Sequence, residues 1–183
     1  MDSKKAIRKI YSLKRKKKYF QINYTFFKPL INMIKKKNNK KDKNISLYYP
    51  SNFEVNILKI LDIDFFKKFN FSLPVLKKKQ EMHFFKWKKN DILLMNKFGI
   101  PEPISSIKVI PKIILVPLLA FDKNKNRVGY GKGYYDRFLN KYLKKSNKPV
   151  TVGIAFSFQK HHKLPVTKKD FKLDYIITEK GII

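Results

Sequence analysis

The chain has 183 residues, 43% hydrophobic and 15% aromatic, which suits a single domain with a sizeable core. It lacks cysteine, which excludes disulfides and thiolate metal centres. No long apolar run opens it, so neither a signal peptide nor a membrane span is expected, and a cytoplasmic location is the default. Its 43 Lys and Arg against 13 Asp and Glu give a formal charge of +30, the electrostatic footprint of phosphate-backbone binding. Only four of those cations are arginine: Arg8, Arg15, Arg127 and Arg137. The abundance of Lys, Asn, Ile, Tyr and Phe reads as pressure toward AT-rich codons. Under it, surface arginines drift to lysine, and the survivors mark places where a planar guanidinium fork matters.

In chain order, residues 3–37 read as mostly helix with a break at Pro29. Asp2 and Ser3 supply the N-cap, and Ile7, Ile10, Tyr11 and Lys14 share one face. The segment Lys35–Asn44 is nearly all Lys, Asn and Asp, a solvated loop. Ile45–Tyr49 is a short strand that Pro50 ends, and Glu54–Phe69 reads as an amphipathic helix burying Val55, Leu58, Leu61 and Ile63. Phe71–Leu76 and Met82–Trp87 are strands, with Pro74 arguing for a strand end or edge. Gly99–Pro103 is a rigid turn whose prolines bar both helix and ladder. Ile113–Leu119 has the unbroken apolar run of a central strand. A helix over Tyr134–Lys145 turns Phe138, Leu139 and Tyr142 inward, and Val150–Phe156 and Tyr175–Thr178 are the closing strands. The pattern predicts a single-domain α/β fold, its sheet mostly parallel in the C-terminal half and flanked by helices.

Three of the six glycines fall within five residues, at 129, 131 and 133, in Arg127-Val-Gly-Tyr-Gly-Lys-Gly-Tyr-Tyr-Asp-Arg137. Such crowding implies positive φ or close approach of backbone to a ligand. The loop follows a strand and opens a helix, where amide N–H groups and a lysine would face an anion. It is neither a Walker loop nor a Rossmann fingerprint, since both spacings are wrong. In an open α/β sheet, the carboxyl end of a strand is where ligands bind. His83, His161 and His162 have no metal-ligand spacing, and His161-His162 reads as a loop pair.

The stretch Val116-Pro-Leu-Leu-Ala-Phe-Asp122 through Asn126–Arg137 resembles the signature of the 5-formyltetrahydrofolate cyclo-ligases. Weaker similarity extends to Lys4-Lys-Ala-Ile-Arg8, Gly99-Ile-Pro-Glu-Pro103, Val152-Gly-Ile-Ala155 and Asp174-Tyr-Ile-Ile-Thr178, in the family's order. The resemblance implies a Rossmann-like fold of the CoA-transferase kind and ATP- and Mg²⁺-dependent closure of 5-formyltetrahydrofolate to 5,10-methenyltetrahydrofolate. It places Lys4, Lys5, Arg8 and Arg127, Val128, Gly129, Tyr130, Gly131, Lys132, Gly133, Tyr134 and Tyr135 at ATP. Within that set Lys132, Arg127 and Tyr134 take the catalytic roles. Ser51, Glu54 and Asn56 would meet the folate, together with Tyr130–Tyr134, and Asp136 and Asp174 would hold Mg²⁺. Asn56 stands where the family has an acid, and Ser51 where it often has a larger apolar side chain. Trp87 and Phe85 fit core packing better than an aromatic wall for the pterin. The implied partners are small molecules, with a monomer and neither a membrane nor a specific nucleic acid expected. Two alternatives stand beside this: a basic RNA- or ribosome-associated protein, and a nucleotide-binding relative that has lost folate specificity, which Asn56 motivates.

Overall fold

The computed structural model describes residues 3–36, 44–142 and 148–183. Asp2, most of the Lys35–Asn44 segment and the end of the expected 134–145 helix lie outside them. In chain order the elements are α1 (Lys4–Lys18), α2 (Lys28–Lys36), β1 (Asn44–Ser46), β2 (Asn70–Leu76), β3 (Met82–Trp87), β4 (Leu93–Met95), β5 (Pro101–Pro103), β6 (Lys108–Val109), β7 (Ile113–Pro117), β8 (Ala120–Phe121), β9 (Arg127–Val128), α3 (Tyr134–Asn140), β10 (Val150–Ile154), β11 (Tyr175–Thr178) and β12 (Gly181–Ile182). Eight strands form one sheet in the order β12-β11-β10-β7-β1-β2-β3-β6. The run from β11 to β2 is parallel, and β3, β6 and β12 are antiparallel additions at its margins. The expected α/β class holds, with β7 central as its apolar run predicted. Tyr175–Thr178 is followed by one more short strand, β12.

Alternation along the strands builds a core on each face. From β7, Leu115 joins Ile45, Val152, Ile154 and Ile177 beneath α2 and the 57–66 segment. Its neighbours Ile114 and Val116 join Ile176, Phe84, Phe138 and Leu139 beneath α3. Complete burial of such a side chain contributes about 1.5–3 kcal/mol. A third cluster, Ile7, Tyr11, Leu119, Ala120, Val128 and Leu164, glues α1 to the β8–β9 hairpin. That cluster fixes the N-terminal helix beside the glycine loop.

Local chemistry explains where sequence and structure differ. Ser3 Oγ caps α1 by accepting from Ala6 N at 3.2 Å, and four basic residues in the last turn, Arg15–Lys18, complement its dipole. The buried face is Ile7, Tyr11 and Arg15, at i, i+4 and i+8, while Ile10 is exposed. The helical break falls at 19–23, and a 3₁₀ turn over Tyr24–Phe27 leads into α2. Pro29 instead sits in the first turn of α2, where its missing N–H costs nothing. The expected 54–69 helix is two 3₁₀ turns, Ile57–Asp62 and Asp64–Phe66, opened by Asn56, whose side chain accepts from Leu58 N at 3.2 Å. β-Branched and aromatic residues there gain little from continuing a helix. Val55, Ile57, Ile60 and Phe66 are buried in it, and Leu58, Leu61 and Ile63 only partly. Pro74 pairs with Phe84 in β2–β3, two residues past the last β1 partner, so its missing donor faces no ladder on the β1 side. Pro101 and Pro103 do enter a ladder, pairing β5 with β4 in a two-stranded hairpin turned at Gly99, φ +70°. Among the described residues no helix is long and apolar enough to cross a membrane.

Candidate active site

All four arginines converge on the glycine loop. Arg8 Nε donates to Gly129 O at 2.9 Å, and Arg15 Nη2 donates to the Tyr130 hydroxyl at 2.8 Å. Arg137 Nη2 donates to Lys132 O at 2.5 Å and its Nε to Gln80 O at 3.0 Å. Arg127 Nη2 donates to Asp136 Oδ1 at 2.7 Å and Nη1 to Phe171 O. Gly131 and Gly133 take φ of +93° and +67°, which L side chains avoid. A Cβ on Gly131 would lie 3.0 Å from Arg8 Cζ, and one on Gly133 2.8 Å from Arg137 Nη1. These glycines are there for backbone geometry and for packing against guanidinium groups.

The clasp separates the loop's polar groups. Carbonyls 129 and 132 are bound by guanidinium donors, and carbonyl 133 by Arg137 N at 3.0 Å. Among the described residues, the N–H groups of residues 130–135 donate to no acceptor. Unpartnered successive amides beside fixed cations make an anion-binding concavity. Lys132 is exposed, its Nζ 5.8 Å from the centroid of the Phe98 ring at the tip of the β4–β5 hairpin. Tyr134 lies under Arg137, 5.5 Å from ring centroid to Cζ. Because α3 has only seven residues, the loop amides and side chains carry the anion chemistry rather than a long helix dipole.

Across from the loop, Ser51, Glu54 and Asn56 line a cavity of about 380 Å³ together with Tyr19, Tyr49 and Phe53. Asn52 and Phe53 at its rim both have positive φ, 47° and 61°. Such backbone costs about 1–3 kcal/mol per residue and persists where surrounding structure demands it. Glu54 is buried; its Oε2 accepts from Ser51 N at 2.8 Å and Oγ at 3.3 Å, and Oε1 accepts from the Tyr130 hydroxyl. Burial pushes the Glu54 carboxyl above the usual carboxylate range, against the pull of Tyr130, Ser51 and Arg15. Desolvation also raises the phenols of Tyr48, Tyr130 and Tyr135, with the Glu54 charge adding to each; Tyr130 as a whole is 42% exposed, and it is its hydroxyl that is held between Arg15 and Glu54. Tyr135 Oη is enclosed without a hydrogen-bond partner, whereas Tyr48 donates to Val55 O at 3.0 Å.

The remaining sequence-derived candidates are distributed as follows. Lys4 Nζ grips both Asp170 oxygens, at 2.6 and 2.5 Å, Lys5 is exposed on α1, and the Val128 side chain is core. Arg127 is buried with both terminal nitrogens bonded to protein groups, and it ties the loop to the 170–171 segment. Asp136 Oδ1 also accepts from Phe171 N at 3.0 Å, while its Oδ2 has no partner among the described residues. Asp174 Oδ2 accepts from Thr151 N and Oγ1, both at 2.8 Å, and Oδ1 lies 3.6 Å from Lys148 Nζ. The two acids share no partner, and among the described residues no three His, Asp or Glu side chains cluster. Trp87 is core and also borders a second cavity of about 250 Å³ shared with Tyr49, Asn56 and Leu58. Phe85 packs under Lys77, and His161 Nδ1 is 3.2 Å from the Tyr11 hydroxyl. Arg15, Phe98 and Asp170 escaped the sequence reading as site residues. Arginine scarcity was a signal for the first alone.

A sequence model described as the 5-formyltetrahydrofolate cyclo-ligase family matches residues 2–179. The Haemophilus influenzae 5-formyltetrahydrofolate cyclo-ligase is 35% identical over 138 residues, 72% of this chain and 73% of its own. The Mycoplasma genitalium enzyme of that name is 35% identical over 136 residues, 74% and 72% of the two chains. The solved 5,10-methenyltetrahydrofolate synthetase of Aquifex aeolicus superposes with a TM-score of 0.74 at 30% identity, covering 98% of this chain and 91% of the other. Fold and sequence therefore agree over nearly the whole length: the chain belongs to the 5-formyltetrahydrofolate cyclo-ligase family and is a ligase.

Proposed function

We propose that this protein converts 5-formyltetrahydrofolate to 5,10-methenyltetrahydrofolate at the expense of ATP, releasing ADP and phosphate. The observation that carries the reading is the run of unpartnered amides 130–135, held open by Arg8 and Arg137 beside the Glu54 cavity. The nucleotide's terminal phosphates lie on those amides, and Lys132 adds a mobile point charge that follows the transferring phosphoryl group. The formyl oxygen attacks the γ-phosphorus and ADP departs. N10 then attacks the activated formyl carbon, phosphate leaves with that oxygen, and N10 loses its proton. Positioning and charge neutralisation do the work in such a transfer, and no protein nucleophile is required.

Ser51, Glu54 and Asn56 orient the pterin in the cavity. Asn56 Oδ1 is held by Leu58 N, so its amide N–H₂ is the group left for the ligand. Arg127 positions rather than touches the phosphates, and Tyr134 walls the loop. Mg²⁺ accepts one or two carboxylates plus phosphate oxygens, and a single oxygen of Asp136 beside the loop fits that need. Asp174 would supply the second carboxylate, giving up its 3.6 Å approach to Lys148. When bound, the ion neutralises charge on the β- and γ-phosphates. On this reading the activity belongs to a cytoplasmic monomer acting on reduced folate and ATP.

Lys132→Ala and Asp136→Asn, the second keeping an Oδ1 acceptor for Arg127 and Phe171 N, test the roles. Each loses ATP-dependent formation of the methenyl chromophore while keeping wild-type far-UV circular dichroism. Wild-type rates in both would remove these side chains from the mechanism.

A further inference from the structure

Arg15 is 1% exposed, in the last turn of α1, far in sequence from everything it touches. Its Nη2 donates to the Tyr130 hydroxyl at 2.8 Å and its Nη1 reaches Leu118 O at 3.4 Å. Its Cζ is 5.6 Å from the Tyr130 ring centroid, and its Nε has no partner. Since Tyr130 accepts from Arg15, its single proton is free to go to Glu54 Oε1, which it does. Glu54 in turn accepts from Ser51 N and Oγ through its other oxygen. The result is one connected chain that converges on Glu54: Arg15 donates to Tyr130 and Tyr130 to Glu54 from one side, and Ser51 donates to Glu54 from the other, linking the N-terminal helix through the glycine loop to the cavity wall.

Buried guanidinium and carboxylate groups are costly unless paired, and the Arg15 and Glu54 side chains make no direct hydrogen bond. The Tyr130 phenol is the bridge between them. Residue 130 lies between Gly129 and Gly131, in the backbone that faces the phosphates. Displacing it would strand two buried ionisable groups at once.

We infer that Arg15, Tyr130 and Glu54 form a relay that couples nucleotide occupancy of the glycine loop to folate occupancy of the adjoining cavity, with Arg15 as a positioning residue. The inference rests on the proposed two-substrate reading, because it needs both ligands. By linkage the coupling is reciprocal: each ligand tightens the other by the same factor.

The test is a binding cycle on the full chain by titration calorimetry. The dissociation constant of 5-formyltetrahydrofolate is measured with and without saturating Mg²⁺ and a non-hydrolysable ATP analogue. Wild type tightens by roughly fivefold or more, the usual lower range of such coupling. In Tyr130→Phe, which keeps the ring and deletes the bridging oxygen, the ratio falls to within about twofold of unity. Arg15→Lys, which keeps the charge but not the fork, gives an intermediate ratio. A purely structural role would lower the melting temperature of both variants and leave the ratio at its wild-type value, and that result overturns the relay. A wild-type ratio of one with both ligands bound overturns it as well. Methenyl production by wild type with an unchanged ratio in Tyr130→Phe sinks the relay alone, whereas a wild type that binds neither ligand sinks the relay and the proposed activity together.

Discussion

Replacing Gly131 with alanine tests backbone demand and crowding in the loop together. Its φ of +93° costs an L residue about 1–2 kcal/mol. The new methyl would also sit 3.0 Å from Arg8 Cζ and 3.2 Å from its Nε, so the guanidinium must shift. That puts at risk the 2.9 Å bond to Gly129 O, worth about 1 kcal/mol. Loss of unfolded-state freedom on going to alanine returns about 0.4–1 kcal/mol. The net expectation is a loss of about 2 kcal/mol, or roughly 4–8 °C in melting temperature for a chain of this size. Gly129→Ala is the internal control, because its φ is not positive and a methyl there meets no atom within 4 Å. Its stability stays within about 0.5 kcal/mol of wild type. Urea unfolding of both variants decides the matter. Equal stability of Gly131→Ala and wild type, or equal losses at both positions, would refute the account of the loop.

Two further outcomes follow from packing and charge. Gly153→Ala in β10 places a methyl 2.7 Å from Leu173 Cδ1 and 2.8 Å from Leu118 Cδ2, and overpacking of this kind costs about 1–3 kcal/mol by urea unfolding; an unchanged midpoint would contradict the packing. Burial acts to raise the Asp170 carboxyl, but Lys4 and Thr167 hydrogen bonds outweigh it and hold it below its ordinary value. A depressed carboxyl stabilises the fold above the unfolded value of about 3.9, and the stability is lost as pH falls through the folded value. Asp170→Asn is thus less stable than wild type at pH 7, and the gap closes in strong acid. A gap of the same size at pH 7 and pH 2 would show that charge plays no part.

What could be read in the sequence was what local pattern encodes. The apolar run at 113–119 marked the central strand because a strand covered on both faces has no polar side to show. The glycine spacing marked the loop because positive φ leaves few other residues possible. The 54–69 segment misled because apolar residues recur there at helical spacing, while the capping oxygen of Asn56 and the Ile63 break divide it into 3₁₀ turns. The ladder of Pro101 and Pro103 was hidden since only a partner such as β4 shows that their missing donors face away from pairing.

For the site, the loop, Ser51, Glu54 and Asn56 were named from the resemblance; in the structure the last three line one cavity, and the loop meets it through the Tyr130–Glu54 hydrogen bond. The Arg15–Tyr130 contact spans 115 residues, and the Lys4–Asp170 pair 166, separations that no periodicity reports. Arginine scarcity in a lysine-rich chain came nearest to revealing the first. All four survivors turned out to hold the same loop.

The most direct test is to incubate the purified chain with 5-formyltetrahydrofolate and follow the methenyl absorbance with and without ATP and Mg²⁺. The clasped loop beside the Glu54 cavity predicts steady methenyl formation with one ADP released per turnover, and none when ATP is omitted. Absence of product under the complete conditions, from a protein with a cooperative thermal transition, would contradict it.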